Sequence, residues 1–226
     1  MLLEPRAGFE LALRVRREGA ALGEVMSFMS ALYFRGKLAY AQRFATPPEG
    51  SPGVLVITPD RGLVTPDTTI DLRDLRAFAR VPIDAGELRY TAPLLRDAKR
   101  LRARLPEAAE VVLLGSIATP KYVDVLLAAF GRALRFPGDF VGRGDMSRGG
   151  LLLRSARAGV ELGYRPIDGA ERRGRRAARL PRATHAASAA APLDDSGTAR
   201  TTSRSAPRQS GSSDTRTAST ASVGAR

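Results

Sequence analysis

Two short apolar runs stand out along the chain, because polar residues do not alternate with apolar ones in either. VLVIT covers residues 54–58 and VVLLG covers residues 111–115. Runs of this kind, bounded by turn-forming residues, are typical of strands that are buried on both faces of a sheet. ALRF at 133–136 predicts a third strand. LLLR at 151–154 and VELGYRPI at 160–167 predict a final pair of strands.

Between these runs, apolar residues recur at helical spacing. Gly36 is expected to break one helical pattern into two. Asp71, Thr91 and Thr119 precede helical patterns and are predicted to cap them, with Pro120 at a first helical position. The first 19 residues fit either a strand or the start of a helix. The predicted helices cover residues 24–34, 37–44, 71–80, 91–105 and 120–130.

The alternation of strands and helices predicts the fold class. Strand, helix, strand, helix, strand at this spacing is typical of parallel β-α-β units. We therefore predict a three-layer α/β domain with a central, mainly parallel sheet over residues 1–169. Residues 170–226 are rich in Arg, Ala, Ser and Thr and contain almost no large apolar side chain. They are predicted to form a disordered basic tail, because they bury too little surface to offset the entropy of ordering.

Charge is distributed unevenly along the 226 residues, whose formal net charge is +13. The predicted tail carries about half of this excess although it is a quarter of the chain. Nucleic acid or an acidic protein surface is therefore a candidate partner of the tail, bound by salt-dependent electrostatic attraction. No interleaved aromatic residues suggest base stacking.

The chain contains no cysteine, and its single histidine, His185, lies in the predicted tail. A folded region without these residues holds no Ser-His-Asp triad, no Cys-His pair and none of the commonest transition-metal sites. We expect no cofactor, although a Mg²⁺ ion held by oxygen atoms is compatible with the remaining side chains. No apolar run approaches the ~20 residues of a membrane span, and the N-terminus does not resemble a signal peptide. We therefore expect a cytoplasmic protein that does not contact membranes.

The segment 136–154, FPGDFVGRGDMSRGGLLLR, combines five glycines with three arginines and two aspartates. Glycines let backbone N–H groups point into a concavity, and arginines neutralise an anion bound there. We predict ligand contacts from Arg143, Gly144, Ser147 and Arg148. The segment lacks the ending of a phosphate-binding Walker loop. The alternative is a long loop that Asp145 and Arg148 hold in shape by pairing with each other.

GSIATPKY, residues 115–122, connects a predicted strand to a helix N-terminus. Free N–H groups and the positive end of the helix dipole favour anions there. Ser116, Thr119 and Lys121 are the predicted contacts to a phosphate or carboxylate. The alternative is that Thr119 and Pro120 only cap the helix.

Two further segments carry candidate chemistry. Asp60, in TPDRG just past a strand end, is placed to act as a general base or to hold Mg²⁺ through water. The alternative is a turn in which it pairs with Arg61.

In YFRGKLAY, Arg35 and Lys37 flank a glycine, and both are predicted ligand contacts. The two tyrosines of this segment suit either stacking on a ring or packing in the core.

Four segments together resemble a bacterial family of proteins with no assigned activity, over roughly residues 20–167. They read LYFRGKLAYAQRFA, VLVITPDRGLVTPDTTI, VVLLGSIATPKYVDVL and FVGRGDMSRGGLLLR. The first two are also similar to small α/β domains related to uracil-DNA glycosylase and to proteins of deazaguanine metabolism. That similarity lies in the pairs Leu32–Tyr33 and Gly62–Leu63. The histidine of the glycosylases has no counterpart here.

The leading hypothesis is a protein that binds a phosphorylated or nucleotide-like anion. The loops after Thr58, Gly115 and Phe136 would form its pocket. If it is an enzyme, hydrolysis or transfer at a nucleoside or phosphate is the expected class, and the predicted base or ion ligand is one of Asp60, Asp139 and Asp145. The alternative hypothesis is a non-catalytic interaction protein whose basic tail contacts nucleic acid or an acidic partner. The sequence leaves the oligomeric state open.

Overall fold

A computed structural model describes residues 2–4, 6–175, 177 and 222–225 of the chain. The α-helices in these ranges are α1 (Glu10–Arg17), α2 (Leu22–Met29), α3 (Ala31–Phe44), α4 (Leu72–Ala79), α5 (Leu88–Arg104), α6 (Pro120–Phe130) and α7 (Asp145–Ala158). The strands are β1 (Ala20–Ala21), β2 (Val54–Thr58), β3 (Gly62–Val64), β4 (Thr69–Ile70), β5 (Val111–Leu113), β6 (Leu134–Pro137), β7 (Tyr164–Pro166) and β8 (Ser222–Ala225). Short 3₁₀ turns cover Gly131–Ala133 and Gly138–Phe140.

Six of these strands form one mixed sheet in the order β3-β2-β8-β5-β6-β7. Strands β5 and β6 pair in parallel, and the other pairings in this sheet are antiparallel. The expected combination of helices with a sheet is confirmed, but the sheet is mixed instead of mainly parallel. Since β2 and β5 each run antiparallel to β8, they point in the same direction. The carboxyl ends of β2, β5 and β6 therefore lie at one edge of the sheet.

Strand β8 is part of the predicted tail. It lies between β2 and β5, with Val223 opposite Leu55 on one side and Leu113 on the other. Strand pairing uses backbone N–H and C=O groups, so a segment without large apolar residues can still take part in it. The rest of the predicted tail, residues 178–221, lies outside the described residues.

The first arginines after residue 169 lie against the folded region. Arg172 is 3.8 Å from the Asp124 carboxylate, and Arg173 donates to the Ala118 carbonyl at 3.4 Å. The Ala177 N–H donates to the Gly142 carbonyl at 3.2 Å. The ordered chain therefore continues past the predicted boundary at residue 169.

The apolar side chains of β2 alternate between two clusters of buried residues. Leu55 and Ile57 belong to the larger cluster, whereas Val56 belongs to the smaller one. Successive side chains of a strand point to opposite faces, so both faces of β2 are covered. This confirms that VLVIT is a buried strand.

Gly36 does not interrupt the helical pattern, so the predicted break is wrong. The interruption falls at Ser30, and α3 runs through Gly36 without a stop. A Cβ atom on Gly36 would lie 2.5 Å from the Gly149 oxygen and 3.0 Å from the Gly149 Cα. Gly36 is therefore the point where another helix crosses α3 in backbone contact.

That other helix is α7, which contains the LLLR segment that was expected to be a strand. Gly149 lies inside α7, and a Cβ atom there would lie 2.7 Å from the Tyr33 Cα. Of the five glycines in 136–154, Gly142 has a positive φ, of 72°. At least part of the glycine density therefore serves the crossing of α3 and α7 and does not form a concave loop.

The predicted caps have mixed outcomes. Asp71 caps α4, and its side chain forms a reciprocal capping box with Asp74. Helix α5 begins before Thr91 and is capped by Glu87, so the prediction at Thr91 is wrong. The Thr91 hydroxyl instead donates to the Glu87 carbonyl at 3.1 Å.

Candidate functional site

Two buried cations lie beside the crossing of α3 and α7. Lys37, which follows Gly36, is 1% exposed, and Arg148, which precedes Gly149, is 5% exposed. Because the two glycines bring the helix backbones into contact, the cations next to them enter the same part of the interior. Lys37, Arg148, Tyr33 and Asp145 are called the Lys37–Arg148 cluster below.

Lys37 lies one helical turn after Tyr33, so the two side chains share a face of α3. The Lys37 Nζ is 3.8 Å from the centroid of the Tyr33 ring and 5.9 Å from that of Phe34. Both distances are in the range of cation–π attraction. The charged head of Lys37 is thus held against aromatic faces in the interior.

Arg148 has contacts outside its own helix. Its Nε and Nη2 donate to the Phe140 carbonyl at 3.3 and 3.1 Å, and its Nη1 is 3.6 Å from the Asp145 carboxylate. Its positive charge also acts on the Tyr33 hydroxyl, whose pKa it lowers against the effect of burial. That hydroxyl donates to the Leu114 carbonyl at 3.3 Å. The arginine therefore links α7 to the 3₁₀ turn before it and lies near the contact of α3 with the end of β5.

The electrostatic environment changes the pKa values of two members of the cluster. Burial lowers the pKa of Lys37 to about 7, and the positive charges of Arg148 and Lys121 act in the same direction. Asp145 opposes this by stabilising the protonated amine. Burial also raises the pKa of the Tyr33 hydroxyl. Burial therefore opposes the charged form of Lys37, and Tyr33 keeps its proton at neutral pH.

Asp145 is a negatively charged neighbour of both buried cations. Its carboxylate favours the charged form of Lys37 and lies 3.6 Å from the Arg148 Nη1, and its side chain is 51% exposed. Opposite charges and hydrogen bonds stabilise a buried charge, so a place where two cations meet attracts anionic groups.

The structure thus brings together predicted residues from three separate segments. Lys37, Asp145 and Arg148 are in the cluster, and Lys121 is close enough to affect the pKa of Lys37. Ser116 is half-buried two residues after Leu114, whose carbonyl binds Tyr33. The predicted pairing of Asp145 with Arg148 is also confirmed, so Arg148 has a structural role in addition to any ligand contact.

The remaining predicted residues of the glycine-rich segment stabilise the start of α7. Arg143 donates through Nε to the Asp139 carbonyl at 2.9 Å and through Nη1 to the Ser147 hydroxyl at 3.3 Å. Gly144 occupies the N-cap position of α7, and its carbonyl accepts the Arg148 N–H at 3.0 Å. These contacts give Arg143 and Ser147 an intramolecular function.

Thr119 occupies the predicted N-cap position of α6 but makes no capping hydrogen bond with its side chain. Its hydroxyl oxygen is buried without a hydrogen-bond partner among the described residues. The preceding carbonyl, on Ala118, accepts a hydrogen bond from Arg173. The loop 115–122 is therefore covered on one side by the beginning of the basic tail.

Asp60 belongs to a different environment. The Thr58 hydroxyl accepts the Arg61 N–H and donates to the Gly62 carbonyl, both at 3.1 Å, which closes the turn between β2 and β3. Asp60 lies 3.6 Å from Arg61, which also pairs with Asp74. Burial raises the pKa of Asp60. The predicted turn pair is confirmed.

Arg35 is exposed, whereas Lys37 is buried on α3. Residues two positions apart in a helix point in nearly opposite directions. The structure therefore separates these two predicted contacts. Tyr33 and Tyr40 are both buried, and the Tyr40 ring packs on Phe44 with centroids 4.7 Å apart.

A cleft of about 370 Å³ lies beside the chain that follows Phe136. Gly138, Arg165, Asp168 and Glu171 are among its lining residues. The cleft combines one cation with two carboxylates, and no member of the Lys37–Arg148 cluster lines it. It therefore lacks the excess of positive charge found at the cluster.

Within the described residues, no group of three or more acidic or histidine side chains is arranged to hold a metal ion. No helix in that part of the chain combines the length and apolar character needed to cross a membrane. Asp60, Asp139 and Asp145, the three predicted acids, do not form one set.

The contacts that sequence reasoning missed are made by the backbone. The Leu114 and Phe140 carbonyls orient Tyr33 and Arg148, but no residue-type pattern identifies a carbonyl that accepts a side-chain hydrogen bond. The pairs Gly36–Lys37 and Arg148–Gly149 were visible as motifs. Nothing in either motif indicated that they meet.

Comparisons with protein-family models, with curated proteins and with solved structures found no match. The resemblances drawn from the four sequence segments therefore stay predictions. The Gly62–Leu63 pair, which carries one of them, has a structural role here. The Leu63 N–H donates to Asp97 on α5 at 3.3 Å, and a Cβ atom on Gly62 would lie 2.4 Å from the same carboxylate.

Proposed function

We propose that the protein binds a phosphorylated or nucleotide-like anion whose charged group lies at the Lys37–Arg148 cluster. The burial of two cations next to the crossing of α3 and α7 carries this proposal. A phosphate group compensates both cations at once and forms strong, charge-assisted hydrogen bonds with them. Because the fold already holds both cations in place, the entropic cost of binding is lower.

Lys37 and Arg148 are the principal proposed contacts, and Arg148 also donates through two nitrogens to the Phe140 carbonyl. Arg148 contributes positive charge and its remaining N–H groups. Lys121 and Ser116 are the proposed contacts from the loop after β5, which adjoins the cluster through Leu114. The ends of α6 and α7 support these contacts through four other predicted residues: Arg143, Ser147, Thr119 and Gly144.

If the protein is an enzyme, hydrolysis or transfer at a nucleoside or phosphate remains the proposed class. Asp145 is the best-placed base among the predicted acids, because it is half-exposed at the cluster. Asp60 and Asp139 lie in other environments and are not proposed for this role.

Isothermal titration of the full-length chain with inorganic phosphate, pyrophosphate and mononucleotides tests the proposal. We expect Lys37→Met, which keeps the length of the side chain but removes its charge, to weaken binding at least tenfold. Lys99→Met is the matched control, because Lys99 is exposed on α5. Equal affinity in the two variants would refute the site, and no binding to wild type would refute the ligand class.

The alternative function, binding of nucleic acid or an acidic partner by the tail, stays a prediction. Most of the tail lies outside the described residues. The contacts of Arg172 and Arg173 with Asp124 and Ala118 show that the arginine cluster begins against the folded region. If Lys37→Met abolishes phosphate binding, that binding comes from the cluster and is independent of the tail.

A further inference from the structure

The excess positive charge of residues 1–169 is concentrated on one helix. These residues contain 25 Lys and Arg and 19 Asp and Glu, which gives a net charge of +6. Helix α5 contains six of the cations and one aspartate, which gives a net charge of +5. The remainder of residues 1–169 is therefore nearly neutral, and α5 is the basic feature of this region.

Three arginines form a row along the exposed side of α5. Arg96, Arg100 and Arg104 are each four residues apart, so they lie on one face of the helix, with about 6 Å of rise between neighbours. The side chains of Arg96 and Arg100 are 52% and 69% exposed, and Arg104 is exposed as well. These three residues are called the α5 arginine row below.

The stability of the helix does not account for the row. Like charges four residues apart repel each other in a helix. The helix dipole favours Arg104, which lies in the last turn, but Arg96 and Arg100 precede that turn. Asp97 is 2.8 Å from the Arg96 Nε and 4.0 Å from the Arg100 Nη1, and it also accepts the Leu63 N–H. One carboxylate thus offsets two arginines, and Arg104 has no ion pair among the described residues.

Two other arginines of α5 are engaged within the protein. Arg102 donates to the Pro106 and Glu107 carbonyls at 3.0 and 3.4 Å, just past the end of the helix. Arg89 donates to the Glu87 carboxylate at 2.9 and 2.7 Å. The positive charge that these contacts leave uncompensated is therefore that of the row.

We propose that the α5 arginine row binds the phosphate backbone of double-stranded nucleic acid. Evenly spaced positive charges suit a polymer whose phosphates repeat at a fixed interval, and arginine forms bidentate hydrogen bonds with phosphate oxygens. Tyr90, the aromatic residue of α5, is buried, so the exposed face offers no ring for stacking on the bases of a single strand. This surface lies within residues 1–169 and is separate from the basic tail.

The burial of the apolar side of α5 favours nucleic acid over a membrane surface. Leu94, Ala98 and Leu101 belong to the larger cluster of buried residues. A helix that lies on a membrane needs an exposed apolar side to enter the lipid. The exposed face of α5 therefore meets a partner through its charge.

Fluorescence anisotropy of a labelled DNA duplex of about 20 base pairs, titrated with the full-length chain at about 50–200 mM salt, tests the proposal. We expect the triple variant Arg96→Gln, Arg100→Gln, Arg104→Gln to weaken binding at least tenfold at the lowest salt concentration. The slope of log K against log salt should fall in magnitude by about 2.7, because each lost phosphate contact removes about 0.9. The triple change of the same positions to lysine keeps the charge and should keep most of the slope.

The triple variant Arg73→Gln, Arg76→Gln, Arg80→Gln is the matched control, because it removes the same charge from exposed positions of α4. Helix α4 packs in the smaller buried cluster and α5 in the larger one, on opposite faces of β2. We expect the control to change the slope by less than 1.

An equal loss of slope in the two triple glutamine variants would overturn the proposal and assign duplex binding to net charge or to the tail. Failure of wild type to bind the duplex would also overturn it. Sedimentation with phosphatidylserine vesicles gives the remaining comparison. If the row is needed for binding to vesicles but not to the duplex, the surface contacts membranes and the proposal is wrong.

Discussion

In the turn between β2 and β3, each charged side chain lies beside an opposite charge. Arg61 contacts Asp60 at 3.6 Å and pairs with Asp74, and 40% of its side chain is exposed. In the Lys37–Arg148 cluster, two buried cations share Asp145. The sequence assigned candidate chemistry to both regions.

The difference shows which charged motifs are accounted for by the fold itself. In the turn, Arg61 pairs with Asp60 and Asp74 and Thr58 makes two hydrogen bonds, although one Asp60 oxygen is buried without a hydrogen-bond partner among the described residues. In the cluster, burial opposes the charged form of Lys37 and the helix crossing keeps it there. A buried excess of one sign of charge is therefore a better indication of a binding site than the density of charge along the sequence.

The largest expected effect comes from separating the two helices that form the cluster. We predict that Gly149→Val lowers the free energy of unfolding by about 3 kcal/mol, because a side chain there meets the α3 backbone. Gly150→Ala is the matched control. Its nearest neighbour would be the Arg154 Nη2 at 3.8 Å, so alanine should stabilise α7 by about 0.5–1 kcal/mol. Urea unfolding measures both variants, and a loss below 1 kcal/mol for Gly149→Val would contradict the close crossing.

An intermediate effect should appear in the pH dependence of stability. The pKa of Lys37 in the folded state, about 7, is below the ordinary value of 10.5. Between these values the unfolded chain binds a proton that the folded chain lacks, so the stability of wild type relative to Lys37→Met should rise with pH. We expect a rise of about 2 kcal/mol between pH 7 and pH 9. Thermal unfolding of wild type, Lys37→Met and Lys99→Met measures it, and a rise that persists in Lys37→Met would assign it to another group.

The smallest effect should come from the corresponding change in the turn. Arg61→Met removes a cation that is 40% exposed, and exposed ion pairs contribute about 0–1 kcal/mol. We therefore expect the free energy of unfolding to fall by less than 1 kcal/mol at pH 7. Phosphate binding should be unchanged. If Arg61→Met weakens phosphate binding as much as Lys37→Met does, the two regions do not differ as described.

Secondary structure was predictable where the hydrophobic pattern or a capping residue indicated a single type of element. VLVIT and VVLLG are apolar on both faces and are buried strands, and Asp71 provides the side-chain acceptors that cap α4. The predictions failed where glycine has two uses. Gly36 was taken as a break and Gly149 as part of a concave loop, yet both lie inside helices, where they allow two backbones to meet.

The candidate site was predictable in its residue types but not in its grouping. Lys37, Asp145 and Arg148 were identified from separate motifs, together with Asp60 and Arg35, which lie elsewhere. Helix periodicity separates Arg35 from Lys37 once α3 is known to be continuous through Gly36. The sequence contains no comparable rule that places Lys37 beside Arg148, which is more than one hundred residues away along the chain.

The sequence by itself determined the chemistry that is available: an excess of arginine, three lysines, and a described region without cysteine or histidine. It also determined the helices and strands for which the spacing of hydrophobic residues and the capping residues indicate the same element. Tertiary structure alone decided that β8 enters the sheet between β2 and β5 and that α3 and α7 cross at Gly36 and Gly149. The reason is that strand pairing and helix contact use the backbone, which every residue shares. Burial, which sets the pKa of Lys37, depends on segments that are distant along the chain.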